Sequence, residues 1–510
     1  MPHKPQPAHA SGPEEPPEQP RRRGLAATVV VVVLLIAGLV AGAAIVRPGP
    51  VDGWLGGGDA GPTPTTAAES PEPPPSPVLV ASAANAPAPT PAGVKAALDP
   101  VVAGAGLGAS LNISVVDVAS GEELYSRGPG VPTIPASTTK LVTAAAVLSA
   151  RGAAYRIPTR VVAGDKPGEV VIIGGGDPTL AAGPTGTYPG AARLDQLAEQ
   201  VKEALGGTAP TKVIVDSTLF TGPAIEPSWD PDVPTGGFGA ATTALMINGA
   251  RINPKITQGY AERYRQPDLA AGQAFARALG LKTSAVSRGK APEAAGATGT
   301  ATPSAETSLA AGGTGPAPGT ELGKVESLPI LRLVEIMLVE SDNVVAETLA
   351  RQVAIARDQP ASYAGGGAAS RAVLTDLGLS TDDVTLSDGS GLSRKNRITP
   401  VLLTDLLRLA AGGSHPELAG LVAGLPVAAW SGTLRDRYRS PAVDSRAGAG
   451  VVRAKTGTLG GVNAISGLLT TADGRLLAFA VLADKVPVGK DRAEVGLDKI
   501  TTTLAKCGCA

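Results

Sequence analysis

Residues Gly24–Val46 form an uncharged run of 23 residues dominated by Val, Leu, Ile and Ala, and this run decides where the rest of the chain can fold. A helix rising about 1.5 Å per residue crosses a hydrocarbon core of about 30 Å in about 20 residues, so the run is long enough to span a bilayer. Its apolarity on every face does not suit a helix that packs one stripe against a soluble core. Arg21-Arg22-Arg23 stands directly before it, and the excess of positive charge on the cytoplasmic side predicts residues 1–23 to be a cytoplasmic, Pro-rich tail. Everything after Arg47 is then expected outside the membrane. Cleavage as a secretory signal is the competing reading, since Ala41-Gly42-Ala43 offers small residues for a cleavage site, and it too leaves the remainder outside.

Residues 47–96 are rich in Pro, Ala, Thr, Ser and Gly with few apolar anchors, which predicts a semi-extended stalk. A second stretch of this kind, residues 287–320, reads as a disordered loop inside the folded region. The remaining length, out of 510 residues in all, suffices for a large core and more than one domain. Lys+Arg 44 against Asp+Glu 45 leaves no basic field, so nucleic acid is not expected as a partner. Aromatic residues are only 3%, which argues against extended stacking platforms. The three histidines, His3, His9 and His415, are scattered, and no metal or other cofactor is called for. Cys507 and Cys509 are too few for a disulfide framework; at this spacing they are expected as a strained, labile pair or as free thiols.

Leu111–Asp117 alternates toward a Ser120-Gly121 turn and resumes at Glu123–Ser126, which predicts a β-hairpin. Thr138–Ala150 places Leu141, Ala144, Ala145 and Leu148 at helical spacing, with Gly152 as its stop. Helical periodicity returns in Pro329–Val339, Val344–Ala356 and Pro400–Ala411. Val451–Lys455, Asn463–Thr470 and Leu476–Ala483 read as strands, and Arg492–Lys506 as a last helix. Helices between an N-terminal hairpin and a C-terminal meander predict an α+β fold, in which one antiparallel sheet is assembled from both ends of the chain.

Three short motifs carry chemistry. In Ser137-Thr138-Thr139-Lys140 the serine and lysine project from one helix face a turn apart, so the amine can take the hydroxyl proton. Ser341-Asp342-Asn343 puts a hydroxyl and an amide two residues apart on a turn, one to relay a proton and one to hold a substrate amide. Lys455-Thr456-Gly457-Thr458 offers a cation and two hydroxyls at a strand edge, a receptor for a carboxylate, with a glycine that lets substrate approach the backbone. The spacing alone is weak, since Ser287–Lys290 matches the first motif and Ser110-Leu111-Asn112 the second. What discriminates is the order SxxK, SxN, KTG on helix, turn and late strand, which is the motif set of the penicillin-recognising serine acyltransferases.

With these motifs in place the sequence resembles the D-alanyl-D-alanine carboxypeptidase/endopeptidase family, the class C low-molecular-mass penicillin-binding proteins. Asp388-Gly389-Ser390-Gly391-Leu392 and Gly175-Gly176-Asp177-Pro178-Thr179-Leu180 are similar to two further segments of that family. The stretch between Ser137 and Ser341 is much longer than that between Ser341 and Lys455, as in a family that inserts extra domains after the nucleophile. The resemblance spans about Ala97–Lys506. It implies a transpeptidase/β-lactamase-like catalytic domain from residues 97–160 and 324–506, with a β-rich insertion over 161–323. It also implies Ser137 as nucleophile, Lys140 as general base and Ser341 as proton shuttle. Asn343, Lys455, Thr456, Gly457 and Thr458 would bind a peptidoglycan stem peptide ending in D-Ala-D-Ala, and β-lactam antibiotics would acylate Ser137. Asp342 is expected to be structural. Trp229, Asp230, Asp232 and Arg394 fall where relatives approach the substrate side chain, but Gly236-Gly237-Phe238 stands where a tyrosine is usual. A β-lactamase and a catalytically idle envelope scaffold are the rival readings.

Overall fold

The computed structural model describes residues 86–257, 259, 261–292, 315–439 and 447–508. The apolar run at 24–46, the tail before it and residues 47–85 of the expected stalk lie outside the described residues, as does Cys509, while residues 91–96 of that stretch are helical. Among the described residues no helix is long and apolar enough to cross a membrane.

The folded unit opens with α1 (Pro91–Gly104), whose N-cap Thr90 accepts from the Gly93 amide at 3.1 Å while Pro91 fills the first turn, where no amide donor is needed. A hairpin follows, β1 (Leu111–Asp117) and β2 (Glu123–Arg127), its turn held by Asp117, which accepts from the Ser120 amide at 2.7 Å. Next comes α2 (Thr139–Arg151), which ends at Gly152 with φ +79°, as its sequence predicts.

The chain then leaves along β3 (Arg156–Ala163) and builds a second sheet. This contains β4 (Glu169–Ile173), α3 (Leu194–Ala204), β5 (Lys212–Asp216), α4 (Pro267–Ala278), β6 (Val286–Arg288) and β7 (Glu321–Pro329). Its strand order is β6-β5-β4-β3-β7. β3 pairs antiparallel with β7 from Arg156 opposite Pro329 to Val162 opposite Glu321, so the chain departs and returns through neighbouring strands. β4, β5 and β6 are mutually parallel, which requires crossovers, and α3 and α4 supply them over a core that includes Val161, Ile172, Leu197, Val213 and Phe275. The inserted region is therefore mixed α/β rather than simply β-rich. Ser287 and Arg288 belong to β6, and Arg288 pairs with Asp268, so ordered structure reaches into the expected loop; residues 293–314 lie outside the described residues. Ser287 on a strand also disposes of the second SxxK match, because Lys290 lies past the end of β6 and not one helical turn further along a shared helix face.

After the return come α5 (Ile330–Val339), α6 (Asn343–Ala356), α7 (Tyr363–Asp376) and α8 (Pro400–Ala411). Then follow β8 (Arg453–Leu459), β9 (Val462–Thr470), β10 (Leu476–Ala483) and α9 (Lys490–Lys506). The main sheet has the order β2-β1-β10-β9-β8 and is antiparallel throughout, with both ends of the chain contributing as expected. All seven residues of β1 are buried, however, not every second one. The reason is that both faces are covered. Ile113, Val115, Ile465, Phe479 and Val481 pack with Leu98 of α1 and Leu497 and Ile500 of α9. Val116, Ala464, Leu468, Ala478, Ala480 and Leu482 pack with α2 and α5–α8. Cys507 is buried on the first of these faces, just past α9.

Phe479 is fully buried at the centre of this sandwich. Phe479→Ala is expected to lower the free energy of unfolding by about 3–5 kcal/mol, measured by urea denaturation.

Candidate active site

The turn before α2 is bent sharply. Ala136 adopts φ +46°, and the Thr138 and Thr139 hydroxyls donate back to the carbonyls of Pro135 (2.7 Å) and Ala136 (2.9 Å), which holds Ser137 at the mouth of the helix. One helical turn on, Lys140 is fully buried. Its Nζ donates to Ser137 Oγ at 3.0 Å, Asn343 Oδ1 at 2.6 Å and the Ser390 carbonyl at 2.7 Å, so all three ammonium protons are used. Burial pulls its pKa down to about 8, against the opposing pull of Asp388, Glu347 and Asp342. Such an amine is neutral in about one molecule in ten at pH 7. Once a proton is lost, two N–H groups can stay on Asn343 and Ser390 while the lone pair faces Ser137.

Ser341, Asp342 and Asn343 join α5 to α6, and Ser341 sits in the left-handed region at φ +54°. Asp342 is structural, as expected. It caps α6 by accepting from the amides of Val344 (2.9 Å) and Val345 (3.1 Å), and takes further donors from Tyr188 (2.8 Å) and Arg251 (3.0 Å) of the insertion. Burial opposes ionisation, but Arg251 and Arg263 prevail and hold its carboxyl well below the usual carboxylate range. With the bend fixed in this way, Asn343 meets Lys140 through Oδ1 and donates from Nδ2 to the Phe238 carbonyl at 2.8 Å. One N–H and one lone pair of that amide remain for a ligand.

β8 is the edge strand of the main sheet, and it lies against the Ser137 turn. A Cβ on Gly457 would stand 2.7 Å from the Pro135 carbonyl and 3.0 Å from the Ser137 amide, so only glycine lets strand and turn meet. Lys455 is fully buried and donates to the Thr456 carbonyl at 2.8 Å; burial, together with the charge of Lys140, depresses its pKa well below the ordinary lysine value. The Thr456 hydroxyl donates to Thr433 Oγ1 at 2.8 Å, and Thr458 is exposed. Ser137, Lys140, Asn343 and Gly457 are thus in one contact set, Lys140 acts on Lys455 through its charge, and Ser341 stands on the bend two residues before Asn343.

Sequence reasoning missed the apparatus beneath. The carbonyl that receives Lys140 comes from Ser390, in the Asp-Gly-Ser-Gly-Leu segment. The segment is held by two buried carboxylates. Asp388 accepts from the Gly391 and Ser393 amides, Asn396 Nδ2 and Trp229 Nε1, all within 2.8 Å. Glu347 accepts from the amides of Ser390 (2.8 Å) and Gly389 (3.2 Å), and burial pushes its pKa up to about 7. Its place four residues after Asn343, on the same face of α6, is a signal the sequence did contain. Trp229 is turned into the protein, edge-on to Tyr363 at 5.6 Å, and Asp230 pairs with Arg394 at 2.8 Å. In this structure these residues brace the segment. Thr433 and the Phe238 carbonyl carried no sequence signal.

A family model described as the D-Ala-D-Ala carboxypeptidase 3 (S13) family matches residues 94–295 and 304–506. A carboxypeptidase of Mycobacterium tuberculosis is 39% identical over 82% of this chain and 85% of its own length. The carboxypeptidase DacB of Mycolicibacterium smegmatis is 37% identical over the same shares. Penicillin binding protein 4 of Haemophilus influenzae superposes with a TM-score of 0.61, covering 79% of this chain and 98% of that one; at 21% identity the match concerns the fold. The chain belongs to the S13 family. It is a serine-type carboxypeptidase, a hydrolase on the α+β fold of the penicillin-binding proteins.

Gly391 has φ +87°, and a Cβ there would stand 1.8 Å from the Ala136 carbonyl. Gly391→Ala is expected to cost about 2 kcal/mol or more of unfolding free energy, read from the urea midpoint, because either the segment or the Ser137 turn must move.

Proposed function

We propose that this chain is an extracytoplasmic D-alanyl-D-alanine carboxypeptidase that cleaves peptidoglycan stem peptides through an acyl-serine intermediate on Ser137, and that also accepts cross-linked stems as an endopeptidase. The contact of Lys140 Nζ with Ser137 Oγ at 3.0 Å carries this reading. Neutral Lys140 takes the hydroxyl proton as Oγ attacks the scissile carbonyl. The oxyanion lies between the backbone N–H groups of Ser137 and Thr458. As the C–N bond breaks, a proton passes through Ser341 to the departing amine, leaving an ester on Ser137. Water then hydrolyses the ester, with Lys140 taking its proton, and regenerates the hydroxyl.

Lys455, Thr456 and Thr458 receive the carboxylate of the terminal D-alanine, with Gly457 permitting the approach. The negative charge of that carboxylate favours the ammonium form of Lys455, against the burial and the Lys140 charge that depress its pKa. Asn343 uses its remaining amide capacity on the peptide backbone. Penicillins, which carry a carboxylate and an acylating carbonyl at matching positions, acylate the same serine. The apolar run at residues 24–46 anchors the enzyme, with the tail in the cytoplasm and the catalytic part outside.

Two outcomes test this. Incubation with a fluorescent penicillin gives a stable covalent adduct by intact mass that vanishes in Ser137→Ala; no adduct on the parent sinks the reading, and rapid drug turnover makes the protein a β-lactamase instead. The acylation rate constant rises about tenfold per pH unit below pH 8 and levels off above it, because the neutral amine is the active form and its pKa is about 8; a flat profile from pH 6 to 9 excludes Lys140 as the base.

A further inference from the structure

The chain-wide scarcity of aromatics makes one tryptophan conspicuous. Trp430 is 78% exposed, the most exposed large hydrophobic side chain among the described residues, while Trp229 is buried. Its loop is not slack. The Trp430 and Ser431 amides both donate to the Val427 carbonyl at 3.0 Å, the Val427 amide donates to Ser431 Oγ at 3.0 Å, and the Ala429 amide donates to the Leu434 carbonyl at 3.0 Å. Ala428 and Leu434 root the loop in the main core. Ala429 is nonetheless held at φ +60°, a conformation unfavourable for any residue with a Cβ, which persists only where the surroundings impose it. A rigid loop that spends strain to hold an indole in water is arranged for a ligand rather than for the fold.

The loop's two anchors say which ligand. Gly432, at φ +53°, packs so closely on α5 that a Cβ would stand 2.4 Å from the Val339 carbonyl, two residues before Ser341. Thr433 Oγ1 accepts from the Thr456 hydroxyl at 2.8 Å. Trp430 is therefore carried on a wall between the Ser341 bend and the Lys455-Thr456 strand. In the mechanism above these two elements serve the departing side of the bond: Ser341 protonates the leaving amine and Thr456 receives the terminal carboxylate. A single D-alanine ends at that carboxylate. A larger leaving group extends beyond that point, toward the wall that carries Trp430. The surroundings of Trp430 do not form an apolar patch of the sort that docks a second protein, since Thr433, Arg435, Asp436 and Arg439 beside it are exposed and polar.

We infer that Trp430 forms a leaving-group subsite that packs against the second stem peptide of a cross-link, and so favours cleavage of cross-linked peptidoglycan over release of free D-alanine. The aliphatic stem of the cross-linking side chain lies on the indole face, beside the exposed Thr433, while Arg439 braces the loop by donating to the Ala429 carbonyl at 3.2 Å. This assignment rests on the proposed function and sets its balance between the two activities.

The test uses the full chain and two soluble substrates, a stem pentapeptide ending in D-Ala-D-Ala and a cross-linked dimer of stem peptides. In Trp430→Ala the ratio of kcat/KM for dimer over pentapeptide is expected to fall about fivefold to tenfold, and Trp430→Phe to keep most of it. In the non-turnover background Ser137→Ala, the tighter binding of dimer than of pentapeptide is expected to be lost when Trp430→Ala is added. An unchanged ratio, an equal loss on both substrates, or a parent that cleaves pentapeptide but not dimer overturns the subsite and leaves the carboxypeptidase standing. A parent that cleaves neither and is not labelled by penicillin overturns both.

Discussion

A fully buried ammonium group is unfavourable unless every proton finds an acceptor, and Lys140 meets that condition by drawing on three separate parts of the chain. Its acceptors are a hydroxyl on the turn before α2, an amide at the start of α6 and a carbonyl in the 388–392 segment. No local structure could supply all three. The helical core, the Asp342 cap and the glycine contacts at Gly391 and Gly457 can be understood as what keeps those acceptors converged on one nitrogen. The same burial that makes the arrangement demanding also makes it useful, because it brings the amine close to the pH at which a base must work.

Charge balance beneath the site follows from this. Asp342, Glu347 and Asp388 are all buried and all favour the protonated lysine. Each is occupied elsewhere: Asp342 with Arg251 and a helix cap, Glu347 with two backbone amides, Asp388 with four donors. None is a direct partner of Lys140. They act at a distance, offsetting part of the desolvation without neutralising the amine in an ion pair. The insertion takes part as well, since Tyr188, Arg251, Trp229 and the Phe238 carbonyl all come from it. It is a structural component of the site rather than an appendage.

Much of this was legible in the sequence because the periodic parts of the fold repeat locally. The α2 face at Leu141, Ala144 and Leu148, its Gly152 stop and the β1–β2 hairpin were read from spacing, and SxxK, SxN and KTG from their order. Asp342 was correctly set apart from its neighbours. The full burial of β1 was not legible, since alternation cannot reveal that a second layer, α1 and α9, covers the other face. Nor was the α/β character of the insertion, where crossovers far apart in sequence make β4, β5 and β6 parallel. Glu347 and Thr433 escaped because polar residues on a helix or in a loop read as solvated until their partners are known.

The sequence by itself determined the chemical groups, their order and the local elements that present them, because helical and strand spacing act over a few residues and motif chemistry resides in side-chain identity. Tertiary structure alone decided that Lys140 would be dry and triply bonded, that Asn343 would be clamped between Lys140 and Phe238, and that the loop of Trp430 would be anchored to both Val339 and Thr456. Those outcomes depend on contacts between segments far apart in the chain. Burial and the pKa shifts it brings are properties of the enclosed volume, and no stretch of residues encloses a volume alone.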